Sequence, residues 1–286
     1  MGEKMLGMPV AKALDEKTIK IVEKCKNKGI TPTLAIIRVG ERKDDLAYEK
    51  SAIKRCEKVG IKVINIILAN DCTQEELLSK IKKAGDDENI HGILLMRPLP
   101  KHLNEYEACE AVPAAKDVDG ITKGSMAAVY SAKNLSQIEN GFAPCTARSV
   151  LEILHYYNVN LEGKKVIIVG RSLVIGKPVS MLLLGENATT VICHSYTKDL
   201  VNEVQSGDIV VVAIGKAEFM GKEAFMNNAV VVDVGINYSD EKQKLVGDVR
   251  TDEVIDKVSK ITPVPNGVGS VTTSVLAYHT ALAADK

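Results

Sequence analysis

Apolar and amphipathic segments alternate along the first half of the chain. Apolar residues at roughly helical spacing predict helices over residues 10–28 and about 44–59. Thr73, followed by Glu75 and Glu76, predicts the start of a further helix. The predicted strands are TLAIIRVG (33–40), KVINIIL (62–68) and GILLM (92–96). Strands separated by helices of this length indicate βαβ units and a parallel sheet.

The second half repeats this pattern more clearly. The continuous apolar run KKVIIVG (164–170) predicts a strand buried on both faces. Further strands are predicted at TTVIC (189–193), DIVVVAIG (208–215) and AVVVDVGI (229–236). The last helix is predicted over about 271–284. Residues 116–147 are less periodic, are expected to be loop-like in parts, and form a plausible interdomain region. The predicted fold class is α/β, with two α/β units joined near residue 143.

Composition limits the partners that this chain could have. Its 286 residues carry 37 Lys and Arg against 37 Asp and Glu, which argues against a nucleic-acid partner. No apolar run approaches the ~18 residues of a membrane span, and the N-terminal residues do not resemble a signal peptide. Six scattered cysteines without a CxxC pair favour a cytoplasmic location. The five histidines form no metal-binding pattern, so no metal is expected.

The strongest local motif is the glycine turn VIIVGRSLVIGKP (166–178), in which a strand leads into a helix that begins near Ile175. Gly170 permits a tight turn and Gly176 a close approach of helix and strand. The free N–H groups of the helix N-terminus would then bind a pyrophosphate. The spacing is not the usual GxGxxG, and a purely structural glycine turn remains the alternative.

The next predicted strand bears on the choice of dinucleotide. It ends in His194 and Ser195, without the acidic residue that holds the ribose hydroxyls of NAD. Arg171 supplies positive charge and Ser195 a hydroxyl donor, which together with Ser172 favour NADP. The alternative is that Arg171 is a solvated loop residue.

The combined motifs resemble the methylenetetrahydrofolate dehydrogenase/cyclohydrolase family over nearly the whole chain. The matching segments are AYEKSAIKRCEKVGI (47–61), HGILLMRPLP (91–100), KDVDG (116–120), PCTA (144–147), GRSLVIGKP (170–178), HSYT (194–197), DVGIN (233–237), GDV (247–249) and TPVPNGVGSVT (262–272). The resemblance implies a folate-binding catalytic domain (1–143), a Rossmann-like NADP domain (144–270) and a terminal helix (271–286) packing back on the first domain. It also implies a homodimer.

The resemblance assigns candidate site residues. Tyr48 would stack on the folate and Asp119 would bind the amino-pyrimidine edge of its pterin; these two are the candidate catalytic residues. Further folate contacts would come from Pro98, Leu99 and Gly269. The NADP contacts would come from Gly170, Arg171, Ser172, Ile175, Gly176, Ser195, Ile236, Gly267 and Val268.

Two positions depart from the family pattern. The family carries a lysine four residues after the tyrosine, and this lysine is the key group of the cyclohydrolase step; the chain has Ala52 there. The glutamine that tunes this lysine is replaced by Met96. From helical angles, Lys50 and Lys54 are expected to point away from the site. Arg55 shares the face of Tyr48 but cannot act as a base.

The loss of this pair predicts an NADP-dependent methylenetetrahydrofolate dehydrogenase with weak or absent cyclohydrolase activity. One alternative is an ordinary bifunctional enzyme in which another residue or a water handles the protons. A second is a non-catalytic nucleotide- or folate-binding protein. Milder departures are PCTARS in place of PCTPxG, and Asn266 and Ser270 in place of Gly and Pro.

Overall fold

A computed structural model describes residues 2–286. The strands are β1 (Glu3–Lys4), β2 (Thr33–Val39), β3 (Lys62–Leu68), β4 (Gly92–Leu95), β5 (Lys165–Val169), β6 (Thr189–Cys193), β7 (Ile209–Val212), β8 (Val230–Asp233), β9 (Asn237–Ser239), β10 (Lys244–Val246) and β11 (Lys260–Ile261). The α-helices are α1 (Gly7–Asn27), α2 (Lys43–Val59), α3 (Gln74–Asp86), α4 (Glu105–Glu110), α5 (Lys123–Ser131), α6 (Cys145–Tyr156), α7 (Gly176–Leu184), α8 (Leu200–Gln205), α9 (Thr251–Val254) and α10 (Thr272–Asp285). Short 3₁₀ helices cover Ala114–Lys116, Leu135–Gln137, Lys222–Ala224 and Val268–Ser270.

The described residues form two compact units. One unit contains residues 12–131, 138–145 and 273–286; the other contains the described residues up to Ala11 with residues 132–137 and 146–272. The expected α/β class with parallel sheets is confirmed. The expected domain bounds stay a prediction. None of the helices within residues 2–286 is both long enough and apolar enough to span a membrane.

A three-stranded parallel sheet with the order β3-β2-β4 lies at the centre of the first unit. All seven residues of β2, the central strand, are buried because they have a neighbouring strand on each side and side chains packed on both faces. A hydrophobic core of residues from β2, α3 and β4 covers one face. The last helix, α10, is tied to α1 by a hydrogen bond from Ser274 Oγ to Asp15 Oδ1 (3.0 Å) and by an ion pair from Lys24 to Asp285. Lys28, just after α1, also pairs with Asp285.

Two helices of this unit have well-defined ends. Thr73 caps α3, accepting a hydrogen bond from the backbone of Glu76 while the Glu76 carboxylate accepts one from the Thr73 N–H. Helix α2 has two acidic residues in its first turn, where they interact favourably with the helix dipole, and it ends at Gly60, whose φ of +85° favours glycine. The buried face of α2 consists of Asp45, Glu49, Ala52, Cys56 and Val59.

The second unit contains a six-stranded sheet of order β1-β11-β8-β7-β5-β6, parallel at every pairing. The inner strands are valine- and isoleucine-rich and almost completely buried, as a sheet covered on both faces requires. Because all strands run in the same direction, the connections after β5, β6, β7 and β8 leave from the same edge of the sheet, where an α/β fold carries its ligands.

One stretch contains a helix that the sequence did not predict. Residues 116–147, expected to be loop-like in parts, include the nine-residue helix α5 and the start of α6. Gly124, Ser125, Ala127 and Ala128 leave α5 with little contrast between an apolar and a polar face, and its helical periodicity in the sequence is therefore faint.

Candidate active site

Tyr48 and position 52 lie one turn apart on α2. Tyr48 is half-buried, whereas Ala52 is 0% exposed and belongs to the face of the helix that packs on the interior. Position 52 therefore presents a buried methyl group, which neither accepts nor donates a proton. Any amine serving the site has to come from another residue.

The neighbouring cations are either exposed or paired with another group. Lys50 and Lys54 are both exposed. Nη1 of Arg55 lies 2.6 Å from Oδ2 of Asp15, which also accepts a hydrogen bond from Lys58 Nζ at 2.9 Å. A guanidinium held by a buried carboxylate in this way is a structural ion pair, and Arg55 is also too basic to exchange a proton.

Met96 directly follows strand β4. Its side chain is 6% exposed, and its N–H donates to the carbonyl of Ile37 at 2.9 Å, extending the pairing of β2 and β4. A buried thioether fills space without requiring a hydrogen-bond partner. Positions 52 and 96 are thus both apolar and both buried.

Asp119 lies in the loop between the 3₁₀ helix Ala114–Lys116 and α5, in a tight turn that Gly120 completes. A Cβ on Gly120 would lie 2.5 Å from Pro144 N, and its φ is +69°, so this position requires glycine. The Asp119 side chain is 22% exposed. Burial raises the pKa of Asp119 to about 6, and nearby Asp117 adds to the rise, while Arg97 and a hydrogen bond with Cys145 oppose it.

Pro98 and Leu99, the other expected folate contacts on this unit, differ in accessibility. Pro98 is exposed, and its carbonyl accepts a hydrogen bond from Arg42 Nη1 at 2.8 Å. Leu99 is 9% exposed and belongs to the hydrophobic core. Arg97, which precedes them, was missed by the sequence reasoning, although a charged residue immediately after a buried strand is a recognisable signal.

The glycine turn after β5 is tightly packed. A Cβ on Gly176 would lie 2.1 Å from the carbonyl oxygen of Gly170, and a Cβ on Gly170 would lie 2.3 Å from that of Ala213. Gly170 also has a φ of +129°. These glycines let the turn close against strand and helix; both are buried, whereas the residues between them, 171–174, are exposed.

The amides at the start of α7 are less free than the sequence suggested. Ser172 accepts hydrogen bonds from the N–H of Ile175 through its hydroxyl and from the N–H of Lys177 through its carbonyl, both at 3.1 Å. The expectation of wholly free N–H groups at this helix start is therefore wrong for these two. The serine hydroxyl accepts from Ile175, as serine side chains do near helix starts, and the serine carbonyl accepts from Lys177.

Arg171 and Ser195 follow adjacent parallel strands and are both exposed. The guanidinium carbon of Arg171 lies 5.6 Å from the centroid of the Tyr196 ring. Tyr196 is 80% exposed, so the pair forms an exposed cationic and aromatic surface at the carboxyl edge of the sheet. A guanidinium and a hydroxyl at this edge fit the phosphate of a nucleotide.

A pocket of about 180 Å³ lies at the end of β8. It is lined in part by Ile236 and by residues 267–269, four of the expected ligand contacts. A Cβ on Gly269 would lie 3.1 Å from Cδ1 of Ile236, so glycine keeps this wall open. Asn266, which stands where the family usually has Gly, has a φ of +79°, and asparagine tolerates this conformation better than most residues.

Asp233, which lines this pocket, and the buried Asp248 join several backbone segments by hydrogen bonds. Asp233 accepts hydrogen bonds from the N–H groups of Gly235, Asp248 and Val249, and Asp248 accepts three from the N–H groups of residues 214–216. Both aspartates are 0% exposed. Burial raises the pKa of Asp233 to about 7, against the effect of its backbone hydrogen bonds. Both aspartates lie in segments that carry the family resemblance, but the sequence analysis assigned neither of them a role.

Comparisons with known proteins agree with this arrangement. Residues 5–119 match the catalytic domain of the tetrahydrofolate dehydrogenase/cyclohydrolase family, and residues 144–286 match its NAD(P)-binding domain. The chain is 50% identical to the bifunctional protein FolD of Clostridioides difficile, over 97% of this chain and 95% of that protein.

Solved structures give the same result. The bifunctional FolD enzyme of Campylobacter jejuni is 36% identical, covers 99% of both chains and superposes with a TM-score of 0.94. The Trypanosoma brucei methylenetetrahydrofolate dehydrogenase-cyclohydrolase, solved with NADP and an inhibitor, is 32% identical with a TM-score of 0.90, over 99% of this chain and 97% of that one. The chain belongs to the tetrahydrofolate dehydrogenase/cyclohydrolase family.

Proposed function

We propose that this protein is an NADP-dependent methylenetetrahydrofolate dehydrogenase with little or no methenyltetrahydrofolate cyclohydrolase activity. It oxidises 5,10-methylenetetrahydrofolate to 5,10-methenyltetrahydrofolate. The observation that carries the second half of the proposal is the buried Ala52, one turn after Tyr48, where the family resemblance calls for lysine.

The dehydrogenase step makes modest demands on the protein. NADP, when bound, accepts the hydride, so the protein chiefly has to hold donor and acceptor close and aligned. Tyr48 and Asp119 would hold the folate, Arg171 and Ser195 the 2′-phosphate of NADP, and the pocket at the end of β8 the nicotinamide side. None of these roles requires an amine at position 52.

The hydrolysis step demands more, because water has to be activated and protons moved while the ring opens. Ala52 and Met96 offer no titrating group for this work, Lys50 and Lys54 are exposed, and Arg55 is paired with Asp15. Loss of a lysine together with its amide partner is consistent with the removal of one function, since a lone buried amide would lack a hydrogen-bond partner.

A second candidate is a fully bifunctional enzyme. Two of the relatives described above are named bifunctional, and Asp119, with a pKa of about 6, titrates in a range suited to moving protons near neutral pH. In that case Asp119 or a water would transfer the protons of the cyclohydrolase step in place of the missing lysine.

Two assays with the purified chain separate these candidates. Reduction of NADP in the presence of methylenetetrahydrofolate measures the first step. Decay of methenyltetrahydrofolate, compared with its spontaneous decay in the same buffer, measures the second. We expect NADP reduction and a decay at the spontaneous rate; decay well above that rate would contradict the proposed loss.

A gain-of-function variant sharpens the test. Ala52→Lys combined with Met96→Gln is expected to gain hydrolysis, because burial at position 52 would lower the pKa of the new amine toward neutrality. Ala52→Met with Met96→Gln is the matched control, adding bulk without an amine. Retained NADP reduction shows that each variant is folded.

The homodimer expected from the resemblance is a separate prediction, which analytical ultracentrifugation would test.

A further inference from the structure

Arg97 lies between two carboxylates beside the candidate folate site. Its Nη2 is 4.0 Å from Oδ2 of Asp119, and its Nη1 is 3.9 Å from Oε1 of Glu105. The other oxygen of Glu105 accepts a hydrogen bond from the Leu99 N–H at 2.8 Å, which fixes this carboxylate to the backbone. With a side chain that is only 23% exposed, Arg97 is screened by solvent much less than a surface arginine.

Several groups set the charge state of Asp119. Burial and the carboxylate of Asp117 favour its neutral form, while the Arg97 guanidinium and a hydrogen bond with the Cys145 thiol favour the ionised form. The Asp117 carboxylate itself accepts hydrogen bonds from the N–H groups of residues 121 and 122. His279 lies behind Cys145, with Nδ1 4.0 Å from Sγ. Arg97 supplies a full positive charge to this group of residues.

The ligand chemistry requires the ionised form of Asp119. The amino-pyrimidine edge of a pterin presents two adjacent N–H donors, which a carboxylate accepts with its two oxygens. A protonated carboxyl group would turn an O–H toward one of those donors. A cation that keeps Asp119 ionised therefore acts on folate affinity without contacting the reacting atoms.

We propose that Arg97 is a positioning residue for the folate substrate, acting through Asp119, which it keeps charged and oriented toward the pterin. This inference rests on the proposed function, because it takes Asp119 as the folate-binding carboxylate. Glu105 opposes the effect by sharing the guanidinium with Asp119. Arg97 thus sets the pH range in which the enzyme binds its substrate.

The test is the pH dependence of KM for methylenetetrahydrofolate at saturating NADP, in Arg97→Leu, Arg97→Lys and Glu105→Gln. Without the cation, the pKa of Asp119 should rise by about one to two units, which raises KM about two- to tenfold near pH 7. Above about pH 9 the difference should vanish, because Asp119 is then ionised in any case. The kcat and the KM for NADP should stay close to those of the unmodified enzyme.

The other two variants supply the controls. Arg97→Lys keeps the charge and should keep most of the affinity for the folate. Glu105→Gln removes the second carboxylate, so that Arg97 interacts with Asp119 alone. The KM of Glu105→Gln for methylenetetrahydrofolate should therefore equal or fall below that of the unmodified enzyme. An unchanged KM in Arg97→Leu, or a deficit that is the same at every pH, would overturn the inference. Should Arg97→Leu fail to fold, Arg97→Gln carries the same test.

A direct measurement separates this inference from the proposed function. Calorimetric titration with tetrahydrofolate, at about pH 6 and about pH 8, should show a larger loss of affinity at the lower pH for Arg97→Leu than for the unmodified chain. If the unmodified chain fails to reduce NADP with methylenetetrahydrofolate, the proposed function fails. If it does so and Arg97→Leu behaves identically, only the inference about Arg97 fails.

Discussion

The Nε atom of Arg38 lies 2.5 Å from Oε2 of Glu49, and both side chains are less than a tenth exposed. Arg38 belongs to β2 and Glu49 to α2, so the pair joins the central strand to the helix that carries Tyr48. Arg38 Nη1 also donates to the carbonyl of Gly40, where the strand has just ended. The buried charges are therefore paired and hydrogen-bonded, as burial requires.

Removing one member of this pair should be costly. Glu49→Leu leaves an unpaired buried guanidinium, which costs about 3–5 kcal/mol of unfolding free energy. The double variant Arg38→Met/Glu49→Leu should recover most of that loss, because no buried charge remains. Urea unfolding followed by circular dichroism measures both. A single variant as stable as the unmodified chain would show that the pair contributes nothing.

Gly176→Ala should impair cofactor binding more than it impairs overall stability. The new Cβ would collide with the Gly170 carbonyl, forcing the turn open. We expect the KM for NADP to rise more than tenfold. Gly163→Ala is the control: its φ of +71° brings conformational strain of about 1–2 kcal/mol, but no atom lies within 4 Å of the added Cβ. Equal KM values for NADP in the two variants would contradict the role of the turn.

Arg171→Ala should weaken NADP selectively. A charge-assisted hydrogen bond contributes about 1.5–3 kcal/mol, so the KM for NADP should rise about 10- to 150-fold while the KM for NAD changes little. Lys164→Ala removes a cation from the opposite end of the same strand and should change neither value. Steady-state kinetics with both dinucleotides provides the measurement, and a parallel rise for NADP and NAD would show that Arg171 does not contact the 2′-phosphate.

Asp233 should make stability fall as pH rises toward neutrality. Its pKa is about 7 in the folded chain, against about 4 for an unfolded aspartate. Between these values the folded state keeps a proton that the unfolded state has released, so folding is favoured at the lower pH and the advantage is lost as pH rises through about 7.

The measurement is urea unfolding at about pH 5 and about pH 8, for the unmodified chain and for Asp233→Asn. Each unit of pKa difference corresponds to about 1.4 kcal/mol, and the variant lacks this contribution. The stability of the unmodified chain relative to the variant should therefore decrease from the lower pH to the higher. A difference that is independent of pH would show that Asp233 has an ordinary pKa.

Much of the fold could be predicted because hydrophobic periodicity and end signals agree. Strand TTVIC was predicted with the observed bounds, 189–193, and α3 begins after Thr73 as its capping residue indicates. Helix α5 was missed because its small residues leave no periodic contrast. Each correctly predicted element has its signal in its own residues, as an apolar run or a capping side chain. A helix without contrast between an apolar and a polar face, such as α5, gives no periodic signal.

The candidate site was less accessible to sequence reasoning. Gly170 and Gly176 were recognised because a close backbone approach requires glycine. The pairing of Arg38 with Glu49 was not foreseen, although a charge inside an apolar strand always requires a partner. The contact of Arg97 with Asp119 joins residues that lie apart in sequence, and no periodic pattern reports such a contact. The use of the Ile175 and Lys177 amides by Ser172 likewise depends on the local path of the backbone.

Asp233, which lines the pocket at the end of β8, and Asp248, whose N–H donates to it, have a consequence for the thermodynamics of binding. Asp248 fixes three consecutive amides at 214–216, and Asp233 fixes the backbone of Asp248 itself. Segments far apart in sequence are thereby joined into one cooperative unit, whose amide hydrogens should exchange with solvent together. A binding surface that is already ordered loses little conformational entropy when a ligand binds to it. The free energy of NADP binding on this side should therefore come from the contacts formed, because little entropy is lost in ordering the protein.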